Sequence, residues 1–490
     1  MPGLRNAWTP FSAPAKTSMP EFAGLRTDFN TWMIMGGMTL CWLASVRLVP
    51  DWRRDGWTAL LKSLYGIVWL GFGLDIVLRF SMLAYNAVEW GNDTARLVAL
   101  PLEVVDRTLM YCGLFWVSVS VGYAIAVRRR TAGPLRLTQA FNLELVYALL
   151  VPGSLASAVL YYVVDRPNIP LKLVTPLADL AALYLVPAAV VWWDHFRHPG
   201  PKWRIGSLQI LALLPALVHG VLSPYRENLV PLFLLPLIGA LFAGRRPRLW
   251  KLLPAALLCF VLLSTVVASY RRLKWESARP EEVAIEMREA SLSEWLVGDW
   301  GERLKRFHSF DSMLVTVGLV PGARPHSGRN VLLRPFFRAF VPRFVYGEKG
   351  EADAAARFGA TIWAYNDPKA RDHGGAAIAP SMPGDLYDAG GVLYIVLGAL
   401  LWGALLGLVD GWKSHLPRFC GAAITALVAT HCAMSIERDF DHTVAGFIQI
   451  FLLMLLVAGV IALARQPEPR HERPQHARSW SSVGQGLERS

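Results

Sequence analysis

Apolar runs of about 20 residues, the length that crosses the hydrocarbon core of a bilayer, recur along the chain. They centre on 31–49, 58–78, 105–127, 143–164, 173–193, 206–222, 228–243, 251–269, 390–409, 418–435 and 444–464. In lipid each run has to be helical, because every backbone N–H and C=O needs a partner within its own segment. The pattern therefore predicts an all-α polytopic membrane protein with about eleven transmembrane helices. Residues 1–30 form a polar, Pro-rich N-terminal segment without the apolar core of a cleavable signal peptide. Residues 31–269 hold the first eight spans, 270–389 one large extracytoplasmic loop, 390–464 the last three spans, and 465–490 a disordered cytoplasmic tail rich in Pro, Arg, His and Ser.

Composition agrees with the pattern: 54% of residues are hydrophobic and only 18% are charged. Charge then sets orientation. The connectors VRLVPDWRRD, AVRRRTAGPLR, HFRHPGPKWR, AGRRPRLWK and GWKSHLPR are basic and alternate with YNAVEWGND, VDRPNIP and ERDFDH. Lysine and arginine stay on the cytoplasmic side, so the N-terminus is expected outside. The net charge of +12 is largely this topology signal and does not indicate nucleic-acid binding.

The alternation carries residues 270–389 to the outer face. Residues 279–302 are acidic, with Val283, Met287 and Leu292 at roughly helical spacing, and are expected to form an amphipathic helix on the protein or membrane surface. The following stretch reverses the charge. Arg303, Lys305, Arg306, Arg324, Arg329, Arg334, Arg338 and Arg343 stand against the single acid Asp311. Two readings fit these arginines: a solvated loop whose charges pair with lipid phosphates or nearby acids, or an anion site in which guanidinium forks grip phosphate. For the cluster as a whole the anion site is favoured. Arg226, Arg271 and Arg438 lie at the same level, beside Glu437, Asp439, Asp441 and His442. Asp385 opens the next span and reads either as a proton acceptor or, more readily, as a helix N-cap.

An arginine opening an apolar span (YRENLVPLFLLPLIG), a Tyr-Arg closing the next, a large loop containing FVPRFVYGEK, and then PSMPGDLYDAGGVLYIVLGALLWG make up the order of features over residues 205–465. That order resembles the oligosaccharide repeat-unit polymerases, the Wzy-type O-antigen and exopolysaccharide polymerases, at Pro342, Arg343, Lys349, Asp385 and Gly390. Gly350 replaces the proline that commonly follows the family's lysine, and Asp385 replaces a glutamate.

The resemblance implies a GT-C-like glycosyltransferase architecture in a bacterial inner membrane. It implies transfer of a growing glycan from one polyprenyl diphosphate to another lipid-linked repeat unit. The implied partners are the polyprenyl-diphosphate-linked oligosaccharide, membrane lipid, a chain-length regulator and other polysaccharide-assembly proteins. The leaving group is a diphosphate, whose charge has to be neutralised. The outer connectors carry no Asp-x-Asp or His-rich spacing, so a metal-independent, cofactor-free reaction is expected. Diphosphate would be held by Arg226, Arg271, Arg303, Arg306, Arg338, Arg343, Lys349 and Arg438. The acceptor hydroxyl needs a base, and His308, Asp311, Asp385 and His442 are the candidates, among which the sequence does not choose. An O-antigen ligase would use the same arginine chemistry with another acceptor. A lipid-linked sugar flippase would be expected to show polar residues lining several central spans and a repeat relating two halves. No internal repeat is seen, and one loop of about 120 residues concentrates the polar chemistry on one face, which favours an enzyme.

The remaining motifs narrow the classes further. Cys41, Cys112, Cys259, Cys420 and Cys432 fall in or beside apolar runs, which speaks against a disulfide framework and an outer-face thiol nucleophile. No Walker or dinucleotide motif is present. Asp75 and Arg79, four residues apart on one expected helix, are expected to pair.

Overall fold

The structure is a computed structural model and describes residues 25, 27–85, 101–128, 147–148, 151–152, 155–156, 185–197, 207–222, 230–245, 309–322, 325–340, 380–413, 416 and 418–463. All regular structure among them is helical. Helix α1 (Phe29–Ser45) starts at Asp28, whose carboxylate accepts the Thr31 N–H while the Thr31 hydroxyl accepts the Asp28 N–H, a reciprocal cap that satisfies two orphan donors. Two short helices follow, α2 (Trp52–Asp55) and α3 (Trp57–Lys62). Helix α4 (Leu64–Ala84) contains a π-helical turn over Gly73–Leu78. Next come α5 (Leu102–Arg128), α6 (Leu185–Arg197), α7 (Ser207–Leu222) and α8 (Val230–Phe242), the last two with internal prolines Pro215 and Pro236. The chain then forms α9 (Ser309–Leu319), α10 (Arg334–Phe340), α11 (Met382–Lys413), α12 (Arg418–Ala433) and α13 (Phe440–Leu463).

Helices α4, α5 and α11 are long and apolar enough to cross a membrane, and the chain is read as an integral membrane protein. At its centre α5 packs along α11. Lipid offers no hydrophobic force to drive one helix against another, so close backbone contact has to supply the attraction. Glycines allow it: a Cβ added at Gly407 would stand 2.9 Å from the Tyr123 carbonyl oxygen and 2.8 Å from Ala126 Cβ. One at Gly403 would overlap the Val119 carbonyl, and one at Gly122 the Leu400 carbonyl. Gly403 and Gly407 are four apart, so both lie on the same face of α11. Trp116 packs on Tyr65 and Phe72 of α4 and Trp402 on Phe447 of α13, and Trp42 stacks on Trp69 at 4.2 Å with each indole N–H donating to the other's backbone carbonyl.

At one end of the bundle Asp410 of α11 binds the start of α4. Its carboxylate accepts the Leu64 N–H at 3.0 Å, the Ser63 hydroxyl at 2.6 Å and the Tyr123 hydroxyl at 3.0 Å, and it pairs with Lys413 at 2.8 Å. Lys413 also donates to the Lys62 carbonyl and lies 5.9 Å from the Phe242 ring centroid. Arg245 donates to the Phe196 carbonyl at 3.2 Å. Residues flanking four basic connectors thus meet at this end.

Two expectations are corrected. Asp75 and Arg79 do not pair: Arg79 makes a bidentate ion pair with Asp311 at 2.7 and 3.1 Å, both side chains buried, while the Asp75 carboxyl contacts the Glu437 side chain. The guanidinium fork meets both oxygens of the Asp311 carboxylate, a stronger contact than a single-point pair with its helical neighbour. The span expected from 390 is already helical from Met382, and 390 marks a break instead. Gly390 and Gly391 leave helical geometry, and Gly391 takes φ +69°, a left-handed conformation that costs glycine little.

Candidate functional site

The break at Gly390 and Gly391 sets the first two turns of α11 apart, and these turns carry Asp385, Tyr387 and Asp388. Ser381 accepts the Gly384 N–H through its hydroxyl, and the Met382 N–H donates to the Ile436 carbonyl at 3.0 Å, which fixes this start against the turn between α12 and α13. Asp385 therefore does not cap its own helix. It is fully buried, and its Oδ2 accepts the Phe440 N–H at 3.0 Å, so it holds the N-terminus of α13 instead. Asp439 completes that end by accepting the His442 N–H at 2.7 Å, as an N-cap does.

Residues 325–340 close over these carboxylates. The His326 ring meets the Tyr387 carbonyl at 2.9 Å, and the Ser327 N–H donates to the Asp388 carbonyl at 2.8 Å. Arg329 then reaches Asp385 Oδ1 at 2.6 Å and Asp388 Oδ2 at 3.1 Å. Arg338 and Arg334, one turn apart on α10, both approach Asp441 Oδ2, at 2.6 and 3.4 Å. Asp441 is buried and its Oδ1 has no hydrogen-bond partner.

Formal charge is uneven across this cluster. Among the described residues one guanidinium reaches both Asp385 and Asp388, whereas two guanidiniums reach Asp441. The α10 side thus brings two guanidinium forks together at one point, the group that recognises an anion. The opposite side holds carboxyls. Burial, and after it the charge of Asp385, push the Asp439 carboxyl up to about 7, in the range where a carboxyl exchanges protons at neutral pH. Among the described residues no three His, Cys, Asp or Glu side chains stand together so as to hold a metal ion.

Of the residues expected from sequence, Asp385, Arg338, Arg438 and His442 come together here. Asp311 lies at the same end, with both oxygens engaged by Arg79, which fits a tether between α9 and α4 better than a base. His442 is exposed, and Arg438 approaches His431 at 3.5 Å. Buried His431 in turn meets the Thr443 carbonyl at 2.7 Å, in keeping with a helix-contact histidine. Arg226, Arg271, Arg303, Arg306, His308, Arg343 and Lys349 lie outside the described residues. So do the acidic stretch 279–302, the tail 465–490 and Cys259. The site also uses Arg329 and Arg334 of the arginine-rich stretch and Asp439 of the 437–442 group, to which sequence reading assigned no individual role, and Asp388, which was not singled out. Asp388 had a sequence signal, since it stands three residues after Asp385 and shares its helical face.

Fold and site together define a class: a helical membrane protein with a buried network of arginines and carboxylates at the end opposite the Asp410 cluster. No family model matches the chain, and no curated protein or solved structure matches it.

Proposed function

We propose that the chain is a metal-independent glycosyltransferase of the bacterial inner membrane, with about eleven spans. It polymerises polyprenyl-diphosphate-linked oligosaccharide repeat units into surface or secreted polysaccharide at the outer face. The observation that carries this reading is the pair Arg334 and Arg338 on one oxygen of Asp441. Two guanidiniums beside a carboxylate with one unsatisfied oxygen are suited to a leaving diphosphate, whose oxygens would take over the donors now shared on Asp441 Oδ2. The carboxyl of Asp439, held near neutrality, supplies a proton acceptor for the attacking sugar hydroxyl. The glycosidic bond would form as the bond from sugar C1 to the diphosphate oxygen breaks, with the hydroxyl proton passing to the carboxylate and the electron pair leaving on the diphosphate.

The test is gel profiling of surface and lipid-linked glycans from cells lacking the protein, complemented by wild type, Arg338→Ala and Arg343→Ala. Single repeat units without long chains, at unchanged abundance of the variants in the membrane, are expected. Wild-type chain lengths in Arg338→Ala would remove the role given to α10. Long chains kept on the polyprenyl carrier would overturn the polymerase reading in favour of a ligase, and repeat units trapped on the cytoplasmic face would overturn it in favour of a flippase.

A further inference from the structure

Helix α10 is built the wrong way round for a helix lying in water. A surface helix turns its charges to solvent and its apolar stripe to the core, and an interfacial helix keeps its arginines on the wet side. In α10 the arginines turn inward: Arg334 and Arg338 lie on buried Asp441. Leu332, Phe336 and Ala339 pack on the core. The side chains left outward are Leu333, Phe337 and Phe340, which are 56%, 67% and 59% exposed. Spacings of four and three put these three on one face.

The course of the helix points the same way. Its arginines reach Asp441 in the first turn of α13, and the carbonyl of Arg338 lies 3.5 Å from the Gln449 side chain. Gln449 is about 12 Å further along α13 at 1.5 Å per residue. Thus α10 runs beside α13 toward the interior of the bundle, not across its mouth. Leu452 and Leu455 of α13 are likewise exposed further along, so the outward face of α10 continues toward apolar helix surface.

We propose that Leu333–Phe340 is inserted in the bilayer leaflet, with Leu333, Phe337 and Phe340 against phospholipid acyl chains. Lipid favours both outward phenylalanines and inward arginines, because charged groups at membrane depth face protein partners. This inference does not depend on the enzymatic reading.

The test replaces Phe337 by p-benzoylphenylalanine in the full chain, reconstituted in palmitoyl-oleoyl phosphatidylcholine vesicles and irradiated. Leu397→benzoylphenylalanine, on the exposed face of α11, serves as reference, and Phe336→benzoylphenylalanine reports the inward face. A mass shift of one phospholipid on the peptide carrying position 337, as at 397 and lost at 336, is expected. Crosslinks from 337 to another part of this chain or to a second copy would overturn the proposal, as would no lipid adduct at 337 where 397 gives one. Phe340→benzoylphenylalanine repeats the measurement on the same face should the 337 variant fail to assemble.

Discussion

The two ends of the bundle are both polar and buried, yet they are finished differently. At the Asp410 end both carboxylate oxygens accept hydrogen bonds, from Ser63, Leu64, Tyr123 and Lys413, and Lys413 spends further donors on Lys62 and Thr425. At the Asp385 end Asp441 Oδ1, Ser309 Oγ and Thr443 Oγ1 are buried without a hydrogen-bond partner, and two arginines crowd onto one oxygen. Satisfied buried networks rigidify a fold. Unsatisfied buried groups cost free energy and persist where something other than stability selects them. The contrast between Asp410, satisfied at both oxygens, and Asp441, satisfied at one, marks the first as a rivet and the second as the site.

The sharpest way to break this comparison is to remove the rivet. Asp410→Ala leaves Lys413 and the first N–H groups of α4 buried without their acceptor, a loss of about 3–5 kcal/mol for a broken buried pair. Little folded protein is expected on size exclusion in detergent. A stable, monodisperse Asp410→Ala protein would show the two ends to be equivalent. At the other end Arg338→Ala is expected to lower chain elongation by roughly a hundredfold or more, in line with loss of a charge-stabilising donor, while unfolding in detergent shifts much less than in Asp410→Ala. Arg334 remains within 3.4 Å to hold Asp441, so the carboxylate is not stranded.

A pH series sharpens the contrast further. Asp439 has a folded-state pKa of about 7, raised by burial and then by Asp385, above the roughly 3.9 of an unfolded aspartate. Between those values the folded chain binds the extra proton, so stability falls as pH rises from about 4 to about 7. Asp439→Asn is expected to flatten that slope in thermal unfolding; an unchanged slope would assign it to another group. The smallest effect is expected at Asp75→Asn, within about 1 kcal/mol of wild type, because Asp75 is buried with Oδ1 unpartnered and an amide of the same shape keeps its packing. A large loss there would mean that the ionised form of Asp75 holds α4 to the α12–α13 turn.

Much of this architecture was legible in the chain. Apolar runs identified α4, α5 and α11 as spans, and the expected boundary at 390 fell on the break within α11. Asp439, Asp441 and Asp385 were singled out because they flank those runs. Their roles were not legible. Asp385 was expected to cap its own helix and instead holds α13, since Ser381 occupies the capping position. Arg79 passed over the neighbour four residues away for Asp311, 232 residues on, because packing brings the Asp311 carboxylate into bidentate reach of its guanidinium.

What the sequence determined by itself is everything that depends on periodicity and transfer free energy: helices, their apolar faces, and the ends where charge collects. These are local sums over neighbouring residues, so they can be read along the chain. What only the tertiary structure decided is which charge meets which. Arg329 finds Asp385 and Asp388, and Arg334 and Arg338 converge on Asp441, because α10 runs beside α13 and the start of α11 is tied to the turn at Ile436. Buried ion pairs form between groups that packing brings together, and packing is a property of the whole chain.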